Sequence, residues 1–180
     1  MRGNKEHMKQ LEELGVDTID LLYFHRPVPR IPYGELIEAV KQLVDEGVAR
    51  EAGVSNASIE QMDIAQEILG NKLIAVQNQF SPIYTETADT LEHAARIGIS
   101  FVCWSPLGGF RKPKDESKFA PFRAIADKRG VSYQQVVLAW ELAKGDHVFV
   151  IPGAHRPATI LDSLKAGDLE LTPEELATLG

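Results

Sequence analysis

Segments with helical spacing alternate with short apolar runs along the whole chain, and that alternation limits the folds open to it. Met8, Leu11 and Leu14 share one helical face over 5–14, with Gly15 as a stop. The apolar run 19–24 reads as a buried strand. Helical spacing returns over 34–46 in Leu36, Ile37, Val40, Leu43 and Val44, and Gly47 closes it. The unit then repeats as strand 50–55 and helix 58–69, with Ser58 as N-cap and Gly70 as its end. Strand 73–77 precedes helix 85–97, closed by Gly98, and strand 99–104 follows. A Lys/Pro/Asp-rich loop over 111–118 leads into helices 119–129 and 133–143. A fifth strand, 147–151, and helices 157–166 and 173–179 complete the pattern, with Thr172 as N-cap and Pro173 at the first helical position.

Strands alternating with helices imply βαβ units and a parallel sheet. Right-handed crossovers leave two architectures, an open doubly wound sheet or a β/α barrel. Neither G-x-G-x-x-G nor G-x-x-x-x-G-K-[ST] occurs, so the markers of nucleotide-binding open sheets are missing. A complete barrel takes roughly 250 residues. Five strand candidates in 180 residues mean either an open five-stranded sheet or part of a barrel. No low-complexity stretch or composition shift marks a boundary, so 1–180 reads as a single domain.

Composition narrows the partners. Hydrophobic residues at 44% and charged residues at 25% are ordinary globular usage. The net charge of −7 repels nucleic acid and anionic membrane surfaces. No apolar run reaches the ~18 residues needed to span a bilayer, and the charged first ten residues are unlike a secretory signal. Cys103 is the single cysteine, which excludes an internal disulfide and leads us to expect a reducing, cytoplasmic location.

In both architectures ligands bind at the carboxyl ends of the strands. Those ends carry His25-Arg26-Pro27, Ser55-Asn56, Gln79, Trp104-Ser105-Pro106-Leu107-Gly108-Gly109 and Pro152-Gly153-Ala154. Trp104 offers a face for a flat heterocycle, and Gly108, Gly109 and Gly153 let backbone approach phosphate oxygens. Together they suggest an extended, partly aromatic, phosphate-bearing ligand across one rim.

Each element also has a plainer reading. His25 is equally a polar cap on the core, Ser55-Asn56 a turn with capping side chains, and Trp104 a core aromatic. Gln79 is equally a partner for a loop carbonyl. Asp20, among apolar neighbours, needs a partner or solvent. Tyr23 shares a strand face with His25, and the pair reads better as core packing than as a proton-transfer couple. Other chemistries read poorly. The histidines at 7, 25, 93, 147 and 155 lack metal-ligand spacing, Cys103 lies in an apolar strand, and no G-x-S-x-G occurs.

The ordered motifs resemble the aldo/keto reductase family. Residues 11–27, LEELGVDTIDLLYFHRP, are similar to its S-L-x-x-L-G-x-D-Y-I-D-L-x-x-x-H segment, and 48–56, VAREAGVSN, to its G-K-x-R-x-x-G-V-S-N strand. QNQ at 77–79, WSPLGG at 104–109 and VIPG at 150–153 resemble its x-N-Q, Y-S-P-L-x-x-G and I-P-G segments. The resemblance spans about residues 5–180. It implies five consecutive βα units of a (β/α)8 barrel and an extended NADP(H) or NAD(H) bound without a Rossmann domain. It implies that His25 orients a small carbonyl substrate, that Ser55, Asn56 and Gln79 hold the nicotinamide carboxamide, and that Trp104 stacks on the ring. Ser105, Pro106, Leu107, Gly108 and Gly109 would line the pyrophosphate, and Gly153 would approach the adenosine end. The family's late Arg and Asn align by spacing with Thr159 and Ser163, so the phosphate contact falls to Arg156.

The family's catalytic tetrad is Asp, Tyr, Lys and His, and its first three members precede the segment that this chain matches. The resemblance therefore implies a short form of an oxidoreductase that transfers hydride between NAD(P)H and an aldehyde or ketone, with negligible activity by itself. The alternative is a non-catalytic short form that binds cofactor or a protein partner as a regulatory subunit. Open barrel edges at 19–24 and 148–151 lead us to expect homo-oligomers.

Overall fold

The computed structural model describes residues 12–13, 15–109 and 116–180. The strands β1 (Ile19–Phe24), β2 (Ala49–Ser55), β3 (Leu73–Gln79), β4 (Ser100–Trp104) and β5 (Val148–Ile151) follow chain order in the sheet. Every described strand pairing is parallel. The helices are α1 (Tyr33–Asp45), α2 (Ile59–Leu69), α3 (Ala88–Ile97), α4 (Ala120–Arg129), α5 (Tyr133–Leu142), α6 (Pro157–Leu164) and α7 (Pro173–Leu179). This is the parallel α/β architecture that the alternating pattern implies. No helix among the described residues is long and apolar enough to cross a membrane. The chain divides into two compact units, one ending at Gln77 and the other starting at Asn78.

In the first unit, β1 aligns Ile19 with Ala49 and Phe24 with Val54 of β2, and β2 aligns Ser55 with Gln77 of β3. The register shifts between Ala52 and Gly53. Helix α1 buries Ile37, Val40 and Val44, and α2 buries Met62, Ala65 and Leu69, the helix faces set by the 3.6-residue period. The buried Ala52 and Val54 of β2 complete that core. A capping box starts α2: Gln61 N donates to Ser58 Oγ at 3.3 Å and Ser58 N donates to Gln61 Oε1 at 3.0 Å. Asp20 stays exposed beside Arg50 Nε at 3.3 Å, so the strand carboxylate has both solvent and a cation.

In the second unit, β4 aligns Phe101 with Val148 and Trp104 with Ile151 of β5. Its core is aromatic. Phe80 stacks on Trp140 with centroids 5.5 Å apart, and Phe101 and Phe122 meet this pair edge-on. Asp162 of α6 accepts from Ser132 Oγ and from Gln135 Nε2, each at 2.6 Å, which ties α6 to the start of α5. Arg129 donates to both oxygens of Glu175, and Trp140 Nε1 donates to the Gly180 carbonyl at 2.8 Å, so α7 is held at both ends.

Three boundaries differ from the sequence reading by two residues or more. Strand β3 continues through Asn78 and Gln79, because Asn78 is buried and its Nδ2 donates to Thr90 Oγ1 at 3.2 Å. Helix α3 begins at Ala88 rather than at 85, since Ser81 and Tyr84 exchange backbone hydrogen bonds of 3.0 and 2.9 Å in a tight turn. Helix α6 stops at Leu164 and tightens into a 3₁₀ turn over Lys165–Asp168. Met8, Leu11 and Leu14 of the expected 5–14 helix, and most of the 111–118 loop, lie outside the described residues.

Candidate active site

In the first unit hydrogen bonds join the ends of β1 and β2 to each other and to Gln77 within β3. His25 follows β1 directly and is exposed. Ser55, only 2% exposed, closes β2, and its Oγ donates to the Gln77 carbonyl at 2.8 Å. Asn56 N donates to the same carbonyl at 3.1 Å. The Asn56 backbone is left-handed, with φ 56°, a conformation asparagine tolerates better than most residues. From there Asn56 Nδ2 donates to the His25 carbonyl at 2.9 Å and to Ser55 Oγ at 3.1 Å. The structure thus brings His25, Ser55 and Asn56 together. Arg26 beside them is exposed.

Tyr23 faces Gly53 in the β1–β2 register. Burial pushes its hydroxyl pKa up, as packing in the wall would. Tyr33, in an edge-on contact with Phe24 (centroids 5.9 Å apart), is pushed up strongly by burial.

In the second unit Gln79 ends β3 half-buried, and its carbonyl accepts from Thr87 Oγ1. Its side-chain amide makes no hydrogen bond among the described residues. Trp104 ends β4 half-buried, with an Nε1 that is shielded from solvent and has no hydrogen-bond partner among the described residues. Ser105 then turns left-handed, φ 52°, and its carbonyl accepts from Gly108 N at 2.8 Å. Pro106 is buried and Leu107 half-buried within this turn. Gly108 and Gly109 have φ of 88° and 71°. The left-handed conformation calls for glycine at 108, and a Cβ there would also have to displace the tip of Ile83, 2.6 Å away at Cδ1. Residues 105–109 therefore form a tight turn after β4, closed by the Gly108 N–H on the Ser105 carbonyl.

Gly153 is exposed, and a Cβ there would meet nothing within 4 Å. Arg156 is the exposed residue before α6 and makes no side-chain cap. Beside this segment lies a largely apolar cavity of about 260 Å³, lined by Leu142, Val150, Pro152, Ala154, Ile160 and Ser163 among others.

Burial pushes the Cys103 thiol strongly up, and nearby Glu141 adds to it, which suits an inert core residue. Glu141 is a feature that packing brings out and the sequence pattern does not. It is fully buried, neither carboxyl oxygen has a partner among the described residues, and burial holds its pKa well above the usual carboxylate range. The available signal was a single acid inside the apolar run 136–142.

The model of the aldo/keto reductase family matches residues 4–180. Aldo-keto reductase str7 of Strobilurus tenacellus is 30% identical over 215 residues, covering 99% of this chain and 63% of that protein. The thermostable aldo-keto reductase Tm1743, solved with the inhibitor epalrestat, superposes with a TM-score of 0.87 at 29% identity, over 97% of this chain and 64% of that one. The aldo/keto reductase from Klebsiella pneumoniae, solved with NADP and acetate, gives a TM-score of 0.86 at 26% identity, over 98% and 62% of the two chains. The chain spans less than two thirds of the length of each of these relatives.

Proposed function

Because this chain belongs to the aldo/keto reductase family, we propose that it forms part of an oxidoreductase that interconverts a small aldehyde or ketone and its alcohol with NADP(H) or NAD(H). The observation that supports this reading is the hydrogen-bonded group of His25, Ser55 and Asn56 at adjacent strand ends, residues to which the motif resemblance assigns substrate and cofactor contacts.

The residues present fit a dinucleotide. In the first unit Asn56 Oδ1 would accept from a nicotinamide carboxamide, with Ser55 acting through Asn56; in the second unit the Gln79 amide is a separate candidate for the same group. Trp104 supplies a stacking face, and the turn at Ser105, Pro106, Leu107, Gly108 and Gly109 would line a pyrophosphate. Gly153 leaves room near the adenosine end, and Arg156 supplies a cation for its phosphate.

When bound, the cofactor supplies a hydride to the carbonyl carbon. The carbonyl oxygen must then take a proton, and a positioned acid contributes about 10²–10⁴-fold to such a step. His25 would orient and polarise that oxygen. The tyrosines at 23, 33 and 84 are all pushed up in pKa, chiefly by burial and at Tyr84 also by Glu86. An activated acid needs the opposite shift. We place the proton donor in the part of the longer relatives that the matched segment does not span.

The test is fluorescence titration with NADPH and NADH, followed by NADPH-dependent reduction of small aldehydes by the protein and by its His25→Ala variant. Cofactor binding with turnover that falls on His25→Ala supports the proposal. Turnover by the 180-residue chain alone, abolished by Tyr33→Phe or Tyr84→Phe, would show that the acid lies within it. Absence of binding to either cofactor would overturn the reading.

A further inference from the structure

We propose that Asn56 is a positioning residue for His25, acting through the hydrogen bond from its side-chain amide to the His25 carbonyl. The inference rests on reading His25 as the group beside the substrate carbonyl.

The chain leaves β2 at Ser55 and turns left-handed at Asn56, φ 56°. That turn carries the amide to the end of β1, where Nδ2 lies 2.9 Å from the His25 carbonyl. A backbone carbonyl only accepts, so the NH₂ side of the amide must face it. The same nitrogen lies 3.1 Å from Ser55 Oγ, whose own hydrogen is committed to the Gln77 carbonyl at 2.8 Å. Ser55 Oγ is therefore an acceptor toward Asn56, and both amide hydrogens are engaged inside the protein. Oδ1 is the polar atom of this side chain left for a ligand, and it accepts.

The His25 residue itself is exposed, and its imidazole hangs from a backbone that β1 has just released. The bond from Asn56 fixes that backbone to β2. Asn56 N and Ser55 Oγ fix β2 in turn to Gln77 of β3. The origin of the imidazole is thus set by Asn56 rather than by the loop that follows. Reaction geometry is steep in position, so loosening this anchor should lower turnover more than it lowers stability.

Two variants separate this role from that of a cofactor ligand. Asn56→Gly keeps the left-handed backbone and deletes the amide. Asn56→Asp keeps the shape and sets a carboxylate oxygen against the His25 carbonyl. The measurements are the His25 ring signals and their titration by NMR in the cofactor-free protein, together with kcat and KM against pH for a small aldehyde. In Asn56→Gly, His25 signals should shift and broaden before any cofactor is added. The variant's kcat should fall about 10- to 100-fold with a similar aldehyde KM, and Asn56→Asp should fall further. His25 signals and titration that superpose on the wild type in both variants, with only NAD(P)H affinity reduced, would overturn the positioning role. Cofactor titration of the wild type is a separate arm. Failure to bind there removes the family-based reading of the site, while the cofactor-free His25 signals still decide whether Asn56 holds that residue.

Discussion

The ring of Tyr23 occupies the space that a side chain at Gly53 would need: a Cβ there would stand 2.5 Å from Tyr23 Cε1 and 2.7 Å from Cδ1. The two residues are register partners in β1 and β2. Gly53 is required here for space, at a contact between backbone and an aromatic face. Gly53→Ala should destabilise the protein by about 1–3 kcal/mol through overpacking. In a Tyr23→Ala background the same substitution should cost much less. Urea denaturation of the four-member cycle measures the coupling, and additive effects would show that the ring yields without strain.

Glu141 predicts a pH dependence of definite sign. Its folded pKa is raised by burial, whereas in the unfolded chain it ionises near ~4.3. Below that unfolded value both states carry the proton, and the group's contribution to stability is fully present. Above it, only the folded state keeps the proton. The contribution then falls by up to about 1.4 kcal/mol per pH unit until the folded pKa is passed. Glu141→Leu should therefore flatten the stability profile above pH ~4.3 and raise stability at neutral pH. Urea midpoints measured across pH 4–8 check this, and parallel wild-type and variant profiles would contradict it.

Trp104 combines a half-buried ring with a shielded, unpartnered Nε1. If its face receives the nicotinamide, Trp104→Ala should weaken cofactor binding by about 1–3 kcal/mol. Calorimetry suits this better than fluorescence, because the substitution removes one of the two tryptophans. Unchanged affinity would move the ring elsewhere.

The second unit exposes Phe149 (53%), Ile151 (46%), Leu161 (61%) and Leu164 (67%) on β5 and α6. Apolar area of this kind promotes association. The isolated 180-residue chain should sediment as concentration-dependent oligomers. Phe149→Lys combined with Leu164→Lys should shift it toward monomer. A monodisperse wild-type monomer at micromolar concentration would count against the association.

Much of the architecture was legible in local signals. Glycines at 47, 70 and 98 end helices, and Ser58 and Thr172 start them with side-chain caps that the structure contains. The extension of β3 was not legible, because Asn78 and Gln79 look like loop residues until Thr90 and Thr87 supply their partners from α3 and its approach. Of the candidate site, residue types and strand-end positions could be read. The left-handed backbone at Ser105 could not, since serine carries no such preference, and at Asn56 the sequence marked a turn without fixing its hand. Glu141 was hidden for a related reason: an acid in a helix normally reads as a solvated face, and only packing reveals that this one is enclosed.

The carbonyl of Gln77 accepts from both Ser55 Oγ and Asn56 N, so its two lone pairs are taken by neighbours from one adjoining strand end. The anchor for that end of β2 is thus a backbone atom. Mutational scanning that exchanges one side chain at a time would record position 77 as tolerant, because every amino acid brings the same oxygen. Its contribution would surface only under backbone editing, such as replacing an amide by an ester so that the acceptor weakens. Amide exchange at Asn56 would report it too, as a slow hydrogen in a residue that otherwise looks like an exposed turn.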